Sequence, residues 1–514
     1  MTSMESIVTV ELGTNAVRVC AFDLKGNIIG SQKGFYPVFH PAPDYSEQDP
    51  DQVFMTMLHV LKLLLIEVVY PKHYKVASIC FSASMHSLLV VDKNGSAMGN
   101  AIMWSDNRAK NEAAAFKASP LSSEIYNATG TPIHPMSPFL KIVWMKNNDE
   151  SRFNKTARFL SLKSYVIHQL TGQYLMDYSI ASATGLFNVH TRQWEPKALK
   201  YAGITAAKLP ALVPVFANAG KLKKAYQNLL SLSVTTTLVI GSSDGCMAML
   251  GDGINGEGRA NITIEDSGAV RVVGNKVLQD DKQRFFNYVL DENYYVSGGP
   301  TNNGGVIFEW FTKYLGGSAF TFDIEENVKE LIKEASHVNT GSDGLLFLPY
   351  LLGERAPIWN ANAKGAYFGL NINHDRKHFL RATIEGIVYE MYSIGKTLAE
   401  HRSIKSLSVN GSFGTIPFVS QMLADMFNKP VHVRKSYHSV SFGSFLVAAI
   451  NMKMFASLEE AAASVVLNNV FKPNKKNNSL YAAYYTIFES LSTKLSEEFE
   501  AISLLQEKLS NVKN

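Results

Sequence analysis

A helix is predicted in the N-terminal part of the chain, where apolar residues recur at helical spacing. Asp49 and Pro50 provide an N-cap and a proline for the first turn. Three polar residues, His59, Lys62 and Glu67, interrupt the apolar window, so we expect a core helix rather than a membrane span. The apolar positions are Val53, Met57, Val60, Leu61, Leu64 and Val68.

Short apolar runs alternate with helical patterns and predict β-strands. A further apolar stripe near the C-terminus has helical spacing and predicts a helix that packs in the core or between domains. Strands that alternate with helices are typical of the α/β class. The predicted strands cover residues 7–10, 17–22, 76–81, 88–91 and 238–240. The C-terminal stripe consists of Leu480, Tyr484, Ile487, Leu491, Leu495, Phe499 and Ile502.

A strand–turn–strand pattern occurs twice. Residues 9–19 are TVELGTNAVRV and residues 263–272 are TIEDSGAVRV, so each segment contains an apolar strand, a glutamate, a glycine turn and a second strand. Glu11 and Glu265 are 265 − 11 = 254 residues apart, close to half of the 514-residue chain. Two hairpins can resemble each other by chance, but duplication of a domain that opens with this hairpin explains more.

The segment GDGING at 251–256 is rich in turn residues and lies between the two halves. A chain of 514 residues has room for two large or three ordinary domains, at about 150 residues per domain. Together with the repeat, this predicts one domain at 1–252 and a second at 253–514.

Charge and cysteine content exclude several classes of protein. Lys plus Arg exceeds Asp plus Glu by only 49 − 45 = 4, so neither a nucleic acid nor a membrane surface is expected as a partner. With 46% hydrophobic and 18% charged residues, the chain has the composition of a soluble globular protein. Cys20 and Cys80 lie in apolar runs, and with Cys246 they form an odd set. We therefore expect reduced core thiols and a cytoplasmic location.

A carboxylate follows the predicted strand at 238–240, in the segment GSSDG at 241–245. Open α/β sheets bind ligands at the carboxyl ends of their strands, so Asp244 is a candidate general base. An ordinary Asp-Gly turn explains the same residues equally well. The segment GGPTNNGG at 298–305 predicts a loop that leads into a helix N-terminus and can bind an anion or a ring. Two glycine hairpin turns facing one cleft would also suit a nucleotide phosphate.

Several polar and aromatic residues between positions 85 and 134 suit a sugar, because sugars are bound by stacking and by paired hydrogen bonds. Each of them also has a purely structural explanation, as a buried histidine, a core tryptophan or a surface ion pair. These residues are Met85, His86, Trp104, Asp106, Arg108 and His134.

Two long motifs resemble those of the FGGY carbohydrate kinases. The first is MSPFLKIVWMKNN at 136–148, and the second is GAYFGL at 365–370 followed by His378-Phe379 and ATIEG at 382–386. The resemblance spans nearly the whole chain and implies two duplicated domains of the actin-like ATPase, or ribonuclease H-like, fold that flank a catalytic cleft. It also implies ATP as the phosphate donor and Mg²⁺ as the metal.

The resemblance implies a role for each candidate residue. Asp244 would be the base that takes the proton from the sugar hydroxyl, and Glu11 would hold Mg²⁺. Met85, His86, Trp104, Asp106, Arg108 and His134 would line the sugar pocket. The nucleotide would be bound by Gly13, Thr14, Asn15, Glu265, Asp266, Gly305, Glu309, Gly411, Ser412 and Phe413.

Segments such as SASMHS, WSDNRA and TGTPIHPMSP look most like the gluconate kinase branch of the family. Gluconate carries a carboxylate, and the planar guanidinium of Arg108 would suit bidentate binding of it. No feature of the sequence excludes xylulose, another pentulose or glycerol as the substrate. A sugar-binding protein that has lost catalytic activity is a further alternative. As for the oligomeric state, we consider a homodimer.

The chain departs from the family pattern at two positions. Residue 11 is Glu where most of the family has Asp, and a longer carboxylate can still bind Mg²⁺. Glu265 and Asp266 stand where the family usually shows Gly-Thr. Two adjacent carboxylates would repel a phosphate unless a metal or a nearby cation intervenes.

Overall fold

The computed structural model describes two compact units, each formed from several segments of the chain. The described residues are 4–254, 256–315, 324–434, 438–467 and 469–512. The first unit consists of Met1–Asn255, Val273–Ser297 and Ser436–Val465, and the second consists of Gly256–Val272, Gly298–Lys435 and Val466–Asn514.

Strands and helices alternate along the described chain, as expected for the α/β class. The strands are Met4–Leu12, Ala16–Asp23, Ile28–Phe35, Glu47–Gln48, Tyr74–Ala83, Leu89–Val91, Ala101–Ile102, Arg158–Leu160, Leu175–Asp177, Phe187–Asn188, Gln193–Trp194, Ala211–Val213, Thr237–Ser243, Gly258–Ile264, Gly268–Gly274, Phe286–Asp291, Tyr294–Thr301, Leu346–Leu348, Ala366–Phe368, Ile404–Asn410, Val431–Val433 and Asn469–Phe471.

The α-helices range from short single turns to a 24-residue helix at Arg376–Ala399. They are Pro50–Leu64, Lys110–Lys117, Ser122–Thr129, Pro138–Asn148, Glu150–Lys155, Leu162–Thr171, Tyr178–Ser182, Pro196–Ala202, Lys224–Leu229, Asp244–Gly251, Gly305–Leu315, Ile324–Ser336, Arg376–Ala399, Pro417–Phe427, Ser439–Asn451, Leu458–Ala463, Lys475–Lys494 and Ser496–Val512. A π-helical turn covers Leu65–Val69, and 3₁₀ turns cover Ala206–Lys208 and Ser342–Gly344.

The first unit is built on a five-stranded sheet. Met4–Leu12 forms an antiparallel hairpin with Ala16–Asp23 and pairs in parallel with Tyr74–Ala83 on its other side. Thr237–Ser243 joins the far edge of Tyr74–Ala83, also in parallel. Ile28–Phe35 closes the other edge of the sheet, beside Ala16–Asp23. The predicted strands at 7–10, 17–22, 76–81 and 238–240 are therefore confirmed as one sheet.

The predicted N-terminal helix is confirmed as Pro50–Leu64. The Asp49 side chain accepts hydrogen bonds from the first-turn N–H groups, as its N-cap position predicts. The helix packs closely on the sheet, because a Cβ atom at Gly34 would lie 2.5 Å from Val60. By length and composition alone, Pro50–Val69 is long and apolar enough to cross a membrane. Half of that apolar window is buried, which is the behaviour of a core helix.

The second unit repeats the strand order of the first. Gly258–Ile264 forms an antiparallel hairpin with Gly268–Gly274 and pairs in parallel with Ile404–Asn410. Val431–Val433 continues the parallel order beyond Ile404–Asn410. The same strand directions and the same order in both units support duplication over chance similarity of the two hairpins.

The first unit includes two segments, Val273–Ser297 and Ser436–Val465, that lie beyond the predicted domain boundary at 252. Helix Ser439–Asn451 packs against helix Asp244–Gly251 at backbone distance, since a Cβ at Gly443 would lie 2.0 Å from the Met247 carbonyl oxygen. Helices that are far apart in the sequence approach this closely only where small residues lie at their contact. No local pattern in the sequence predicts such a contact. The simple two-part division at 252/253 therefore differs from the compact units.

The predicted C-terminal stripe lies on two helices, Lys475–Lys494 and Ser496–Val512, and its predicted burial is only partly correct: Phe499 is buried, but other members are exposed. Leu480 and Ile487 are 40% and 45% exposed, whereas the aromatic residues at Tyr481, Tyr485 and Phe488 are buried. The two stripes lie side by side on the helix surface, and the wide aromatic one covers more apolar area. The aliphatic pattern alone does not distinguish them.

The three cysteines, Cys20, Cys80 and Cys246, are buried thiols. Burial raises the pKa of Cys20 to about 11 and that of Cys80 to about 12. Thiols with such pKa values carry almost no thiolate at neutral pH and are poor nucleophiles. This agrees with the expectation of inert core cysteines.

Candidate active site

Asp244 lies at the carboxyl end of strand Thr237–Ser243 and opens the helix that follows. Ser243 is the N-cap of that helix, and its hydroxyl accepts a hydrogen bond from the backbone N–H of Cys246. Asp244 is partly exposed, and its Oδ1 accepts from the N–H of Gly245 at 2.6 Å. A partly exposed carboxylate at a strand end is placed where open α/β sheets bind ligands.

The turn of the first hairpin contains Gly13, Thr14 and Asn15. The hydroxyl of Tyr36 donates to the Gly13 carbonyl oxygen at 2.7 Å, and its backbone N–H donates to the carbonyl oxygen of Asn15 at 3.0 Å. Trp104 donates from Nε1 to the hydroxyl of Thr14 at 3.0 Å. The turn is thus rigidly supported, and it is joined directly to one of the predicted sugar-pocket residues.

Glu11 lies just before this turn and fits a Mg²⁺ site that is completed by phosphates and water. Its carboxylate is mostly buried, 3.7 Å from Arg18 and within 3.4 Å of the Ser441 hydroxyl. The described part of the chain holds no cluster of three or more His, Cys, Asp or Glu that could form a metal cage. Mg²⁺ commonly uses one or two carboxylates together with substrate phosphates, so a single glutamate beside a glycine turn suits it.

His86 is buried with both ring nitrogens near polar atoms. Nδ1 lies 2.7 Å from the carbonyl oxygen of Ala183, and Nε2 lies 3.2 Å from the hydroxyl of Tyr288. The backbone of His86 has a φ of 66°, a strained value for a non-glycine residue. Its carbonyl oxygen accepts a hydrogen bond from Lys141 at 2.7 Å. The histidine is therefore held by side-chain and backbone contacts on several sides.

Lys141 lies fully buried in the first family motif. Its ammonium donates to the carbonyl oxygens of His86 and Met103, each at 2.7 Å. Burial lowers the pKa of Lys141 to about 7. Because Met103 immediately precedes Trp104, this lysine joins two loops that carry predicted sugar-pocket residues.

Arg108 binds two carboxylates within the first unit. Its Nε and Nη2 contact Asp106 at 2.9 and 2.8 Å, and Nη2 also contacts Glu47 at 2.6 Å. The guanidinium lies over the ring of Tyr45, 3.8 Å from its centroid, and 5.1 Å from that of Trp144. The edge expected to bind a substrate carboxylate is thus occupied by Asp106, and this expected geometry is not the one adopted. Glu47 is the second carboxylate partner of the arginine.

The remaining sugar-pocket candidates lie in the same unit. Met85 packs at the margin of two apolar clusters and directly precedes His86. His134 is buried before helix Pro138–Asn148, and its Nδ1 accepts from the N–H of Met136 at 3.2 Å. Trp104 is joined to the hairpin turn and Asp106 to Arg108, whereas Met85 packs against apolar residues from distant segments and the His134 contact is with a local neighbour.

The second hairpin gathers three carboxylates at its turn. The hydroxyl of Ser412 donates to Glu265 at 2.6 Å, and the N–H of Gly305 donates to the Glu265 carbonyl oxygen at 2.6 Å. Burial and the nearby charge of Asp266 raise the pKa of Glu309. The predicted nucleotide-binding residues of the second unit therefore form one cluster, and the cluster is acidic.

Glycine allows the segments of this cluster to approach closely. A Cβ atom at Gly411, which has a φ of 88°, would lie 2.3 Å from the carbonyl oxygen of Ile264. Phe413 packs on Phe308 with ring centroids 5.2 Å apart. The predicted loop at 298–305 is only partly correct, because strand Tyr294–Thr301 extends into it before the helix begins at Gly305. The extension occurs because neighbouring strands pair with this segment, which its glycines do not reveal.

The residue pattern does not predict which charged side chains are buried within each of the two units. Glu354 is fully buried, accepts hydrogen bonds from Thr301 and Asn303, and has its pKa raised by burial. A charged residue inside an apolar run, such as Lys141 in FLKIVW, is the only local signal for such positions. Examples are Lys141, Lys163, Asp177, Glu354 and Glu390.

Comparison with known proteins identifies the family. Models of the FGGY family of carbohydrate kinases match residues 6–251 as the N-terminal domain and residues 260–452 as the C-terminal domain. The gluconokinase of Bacillus licheniformis is 32% identical over 509 residues, which cover 98% of this chain and 99% of that protein. The crystal structure of gluconate kinase from Lactobacillus acidophilus has a TM-score of 0.91 at 29% identity and covers 97% of this chain and 100% of that one.

The ligand-bound xylulose kinase of Lactobacillus acidophilus is similar to the same degree, with a TM-score of 0.91 at 28% identity over 97% of this chain and 100% of that one. The two family models together cover most of the described residues, and the hairpin repeat and both motifs agree with them. The chain therefore belongs to the FGGY family of carbohydrate kinases, and is an ATP-dependent, Mg²⁺-using phosphotransferase with the actin-like ATPase fold.

Proposed function

We propose that this kinase phosphorylates gluconate at its terminal primary hydroxyl to give 6-phosphogluconate, with Asp244 as the general base. The observation that carries the proposal is the place of Asp244, partly exposed at the carboxyl end of a buried strand. The 32% identity to a gluconokinase over nearly the whole chain supports gluconate as the acceptor.

Asp244 is proposed to accept the proton of the sugar hydroxyl. The hydroxyl oxygen forms a bond to the γ-phosphorus of ATP, and the bond from that phosphorus to the β–γ bridging oxygen breaks to release ADP. A phosphoryl transfer of this kind requires alignment and charge neutralisation more than covalent catalysis, so one carboxylate base is sufficient. When bound, Mg²⁺ would neutralise charge on the β- and γ-phosphate oxygens, and Glu11 is the residue proposed to hold it.

The other candidate residues are proposed to bind and orient the two substrates. In the first unit, Trp104 donates a hydrogen bond to Thr14 in the Gly13–Asn15 turn. A residue proposed to contact the sugar is therefore bonded directly to one proposed to contact the nucleotide. The sugar pocket is proposed to consist of Met85, His86, Trp104, Asp106, Arg108 and His134. The proposed nucleotide contacts are Gly13, Thr14, Asn15, Glu265, Asp266, Gly305, Glu309, Gly411, Ser412 and Phe413.

One observation favours an uncharged sugar such as xylulose as the alternative acceptor. The Nε–Nη2 edge of Arg108 contacts Asp106, so a substrate carboxylate would have to displace Asp106 or bind elsewhere. The similarity to the xylulose kinase structure is as high as that to the gluconate kinase structure. Xylulose is therefore the second candidate.

The test is ADP release by the purified protein with Mg-ATP and a panel of gluconate, xylulose, ribulose, fuculose, rhamnulose and glycerol. Asp244→Ala should lower kcat by about 100-fold or more while gluconate still binds. Asp281→Asn, at an exposed aspartate of the same unit, is the matched control and should leave kcat unchanged. Highest activity on xylulose would reject gluconate, and an undiminished rate for Asp244→Ala would reject the base.

A cytoplasmic location and a homodimer complete the proposal. Charge, cysteine usage and the burial of Pro50–Val69 support the location. Cell fractionation tests the location, and sedimentation of the purified protein tests the dimer.

A further inference from the structure

The peptide group between Ser242 and Ser243, one residue before Asp244, is held at both of its ends by buried side chains. Its carbonyl oxygen, on Ser242, accepts a hydrogen bond from the Lys163 ammonium at 3.1 Å. Its N–H, on Ser243, donates to the hydroxyl of Ser179 at 2.8 Å. A peptide plane fixed at both its donor and its acceptor has little freedom to rotate. It ends at the Cα of Ser243, and Asp244 is the next residue along the chain.

Asp177 connects the two contacts into one network. Its Oδ2 lies 2.6 Å from the ammonium of Lys163, and its Oδ1 accepts from the hydroxyl of Ser179 at 2.6 Å. The Ser242 hydroxyl donates to the same Ser179 oxygen at 2.7 Å. The hydroxyl of Ser179 thus uses its donor and both of its acceptor positions.

All members of this network are inaccessible to solvent. Their exposed fractions do not exceed 2%, which excludes direct contact with a soluble ligand in this structure. A buried ion pair is a weak source of stability, because its desolvation offsets most of its attraction. Lys163 and Asp177 are therefore better explained by the geometry that they impose than by the stability that they add. The members are Lys163, Asp177, Ser179, Ser242 and Ser243.

The network acts where the β-ladder is interrupted. The parallel pairing of strand Thr237–Ser243 with Tyr74–Ala83 shifts register between Val239 and Ser242. Gly241 has a φ of 67°, and its N–H donates to the Val215 carbonyl oxygen rather than to the neighbouring strand. An irregularity of this kind redirects the strand, so another set of contacts must define where its last residues lie.

We propose that Lys163, Asp177 and Ser179 are positioning residues that set the orientation of the Asp244 carboxylate. This inference rests on the proposed function, in which Asp244 is the base. A general base must lie within hydrogen-bond reach of the proton that it accepts, and a displacement of about 1 Å lowers turnover by about 100-fold. The three residues are inaccessible to solvent, and they act through the peptide group of Ser242 and Ser243.

The experiment compares Ser179→Ala, Asp244→Ala and the double variant with the wild-type enzyme. Ser179→Ala removes the central hydroxyl without leaving an unpaired ion. We expect kcat to fall by about 10- to 100-fold, with the KM values for sugar and Mg-ATP within about twofold of wild type. In the Asp244→Ala background the same substitution should have no further effect on kcat, because Ser179 acts only through Asp244.

Ser164→Ala is the matched control for loss of a buried hydroxyl. Ser164 follows Lys163 on the same helix, is equally buried, and accepts from Ser161, outside the network. This variant should keep wild-type kcat, and a circular dichroism melt should show both single serine variants folded at the assay temperature.

The possible failures are distinguishable. If Asp244→Ala retains full activity, the proposed base is wrong and the positioning inference fails with it. If Asp244→Ala is inactive but Ser179→Ala is fully active, the base stands and the positioning inference is overturned. An added loss of kcat from Ser179→Ala in the Asp244→Ala background would show a general structural role and would also overturn it.

Discussion

Arg108 presents one edge of its guanidinium to Asp106, with Nε 2.9 Å from Oδ1 and Nη2 2.8 Å from Oδ2. Asp106 is fully buried and also accepts from the backbone N–H of Ser46 at 2.7 Å. The pair therefore behaves as an internal ion pair that shapes the loop after Met103. Its loss should affect stability as well as sugar binding.

Removal of the arginine alone should destabilise the protein strongly. Arg108→Met leaves the Asp106 carboxylate buried without its cation, at a cost of about 3–5 kcal/mol. The double variant with Asp106→Asn should be less destabilised than Arg108→Met, since the buried Asp106 charge is removed together with its cation. Urea unfolding of the wild type, Arg108→Met, Asp106→Asn and the double variant measures this, and a double variant that loses more stability than Arg108→Met would contradict it.

The elements of the fold that depend on local pattern could be predicted from the sequence. The Asp49 cap, the helix after it and both glycine hairpins are encoded within about 15 residues each, where spacing and turn chemistry decide the outcome. The position of Asp244 after a strand was predictable for the same reason.

The surroundings of the site could not be predicted in the same way. Glu47 and Arg108 are 61 residues apart, and Ser179 and Ser243 are 64 apart, so their contacts depend on how distant segments pack. An arginine that binds a substrate carboxylate and one that binds Asp106 have the same local sequence. Only the packed structure distinguishes them, which is why the contact of Arg108 with Asp106 and the Ser179 contacts were not predicted.

Lys141 should give the protein a pH-dependent stability. Burial lowers its pKa from 10.5 to about 7 in the folded state. Between these values the unfolded chain binds the lysine proton and the folded protein does not, so the free energy of unfolding rises with pH across that range. Lys141→Met removes this pH-dependent contribution to the free energy of unfolding. The wild type should therefore gain stability relative to the variant as pH rises above 7.

The measurement for Lys141 is the urea midpoint of both proteins across that pH range. Lys146→Met, at an exposed lysine on the same helix, is the control and should show no comparable change relative to wild type. A difference between wild type and Lys141→Met that is independent of pH would show that the lysine titrates normally.

Glu390 should have the opposite effect on pH dependence. Burial, followed by the nearby Glu354, raises the pKa of Glu390 well above 4.5. The carboxyl group stays protonated in the folded protein while the unfolded chain ionises, so stability is lost as pH rises above 4.5. The amide in Glu390→Gln does not ionise, so this variant should become progressively more stable than the wild type as the pH rises above 4.5. Urea midpoints measure this, with the exposed Glu330→Gln as control, and a constant difference would refute the raised pKa.

The acidic hairpin turn should weaken nucleotide binding. Glu265 and Asp266 are exposed beside Gly305, and burial together with Asp266 raises the pKa of Glu309, which indicates a local excess of negative charge. Replacing both carboxylates by amides in Glu265→Gln with Asp266→Asn should lower the KM for Mg-ATP by about 3- to 10-fold, the scale of a few exposed charge interactions.

The salt dependence of this change identifies its cause. Repulsion between exposed charges is screened by salt, so the KM difference between wild type and the double amide variant should shrink as ionic strength rises. A variant with Glu265→Gly and Asp266→Thr restores the dipeptide that is usual in the family and should change the KM in the same direction, although Ser412 then loses its contact with Glu265. If both variants instead raise the KM, and excess Mg²⁺ reverses the effect, the two carboxylates bind a cation that assists the nucleotide, and the repulsion argument fails.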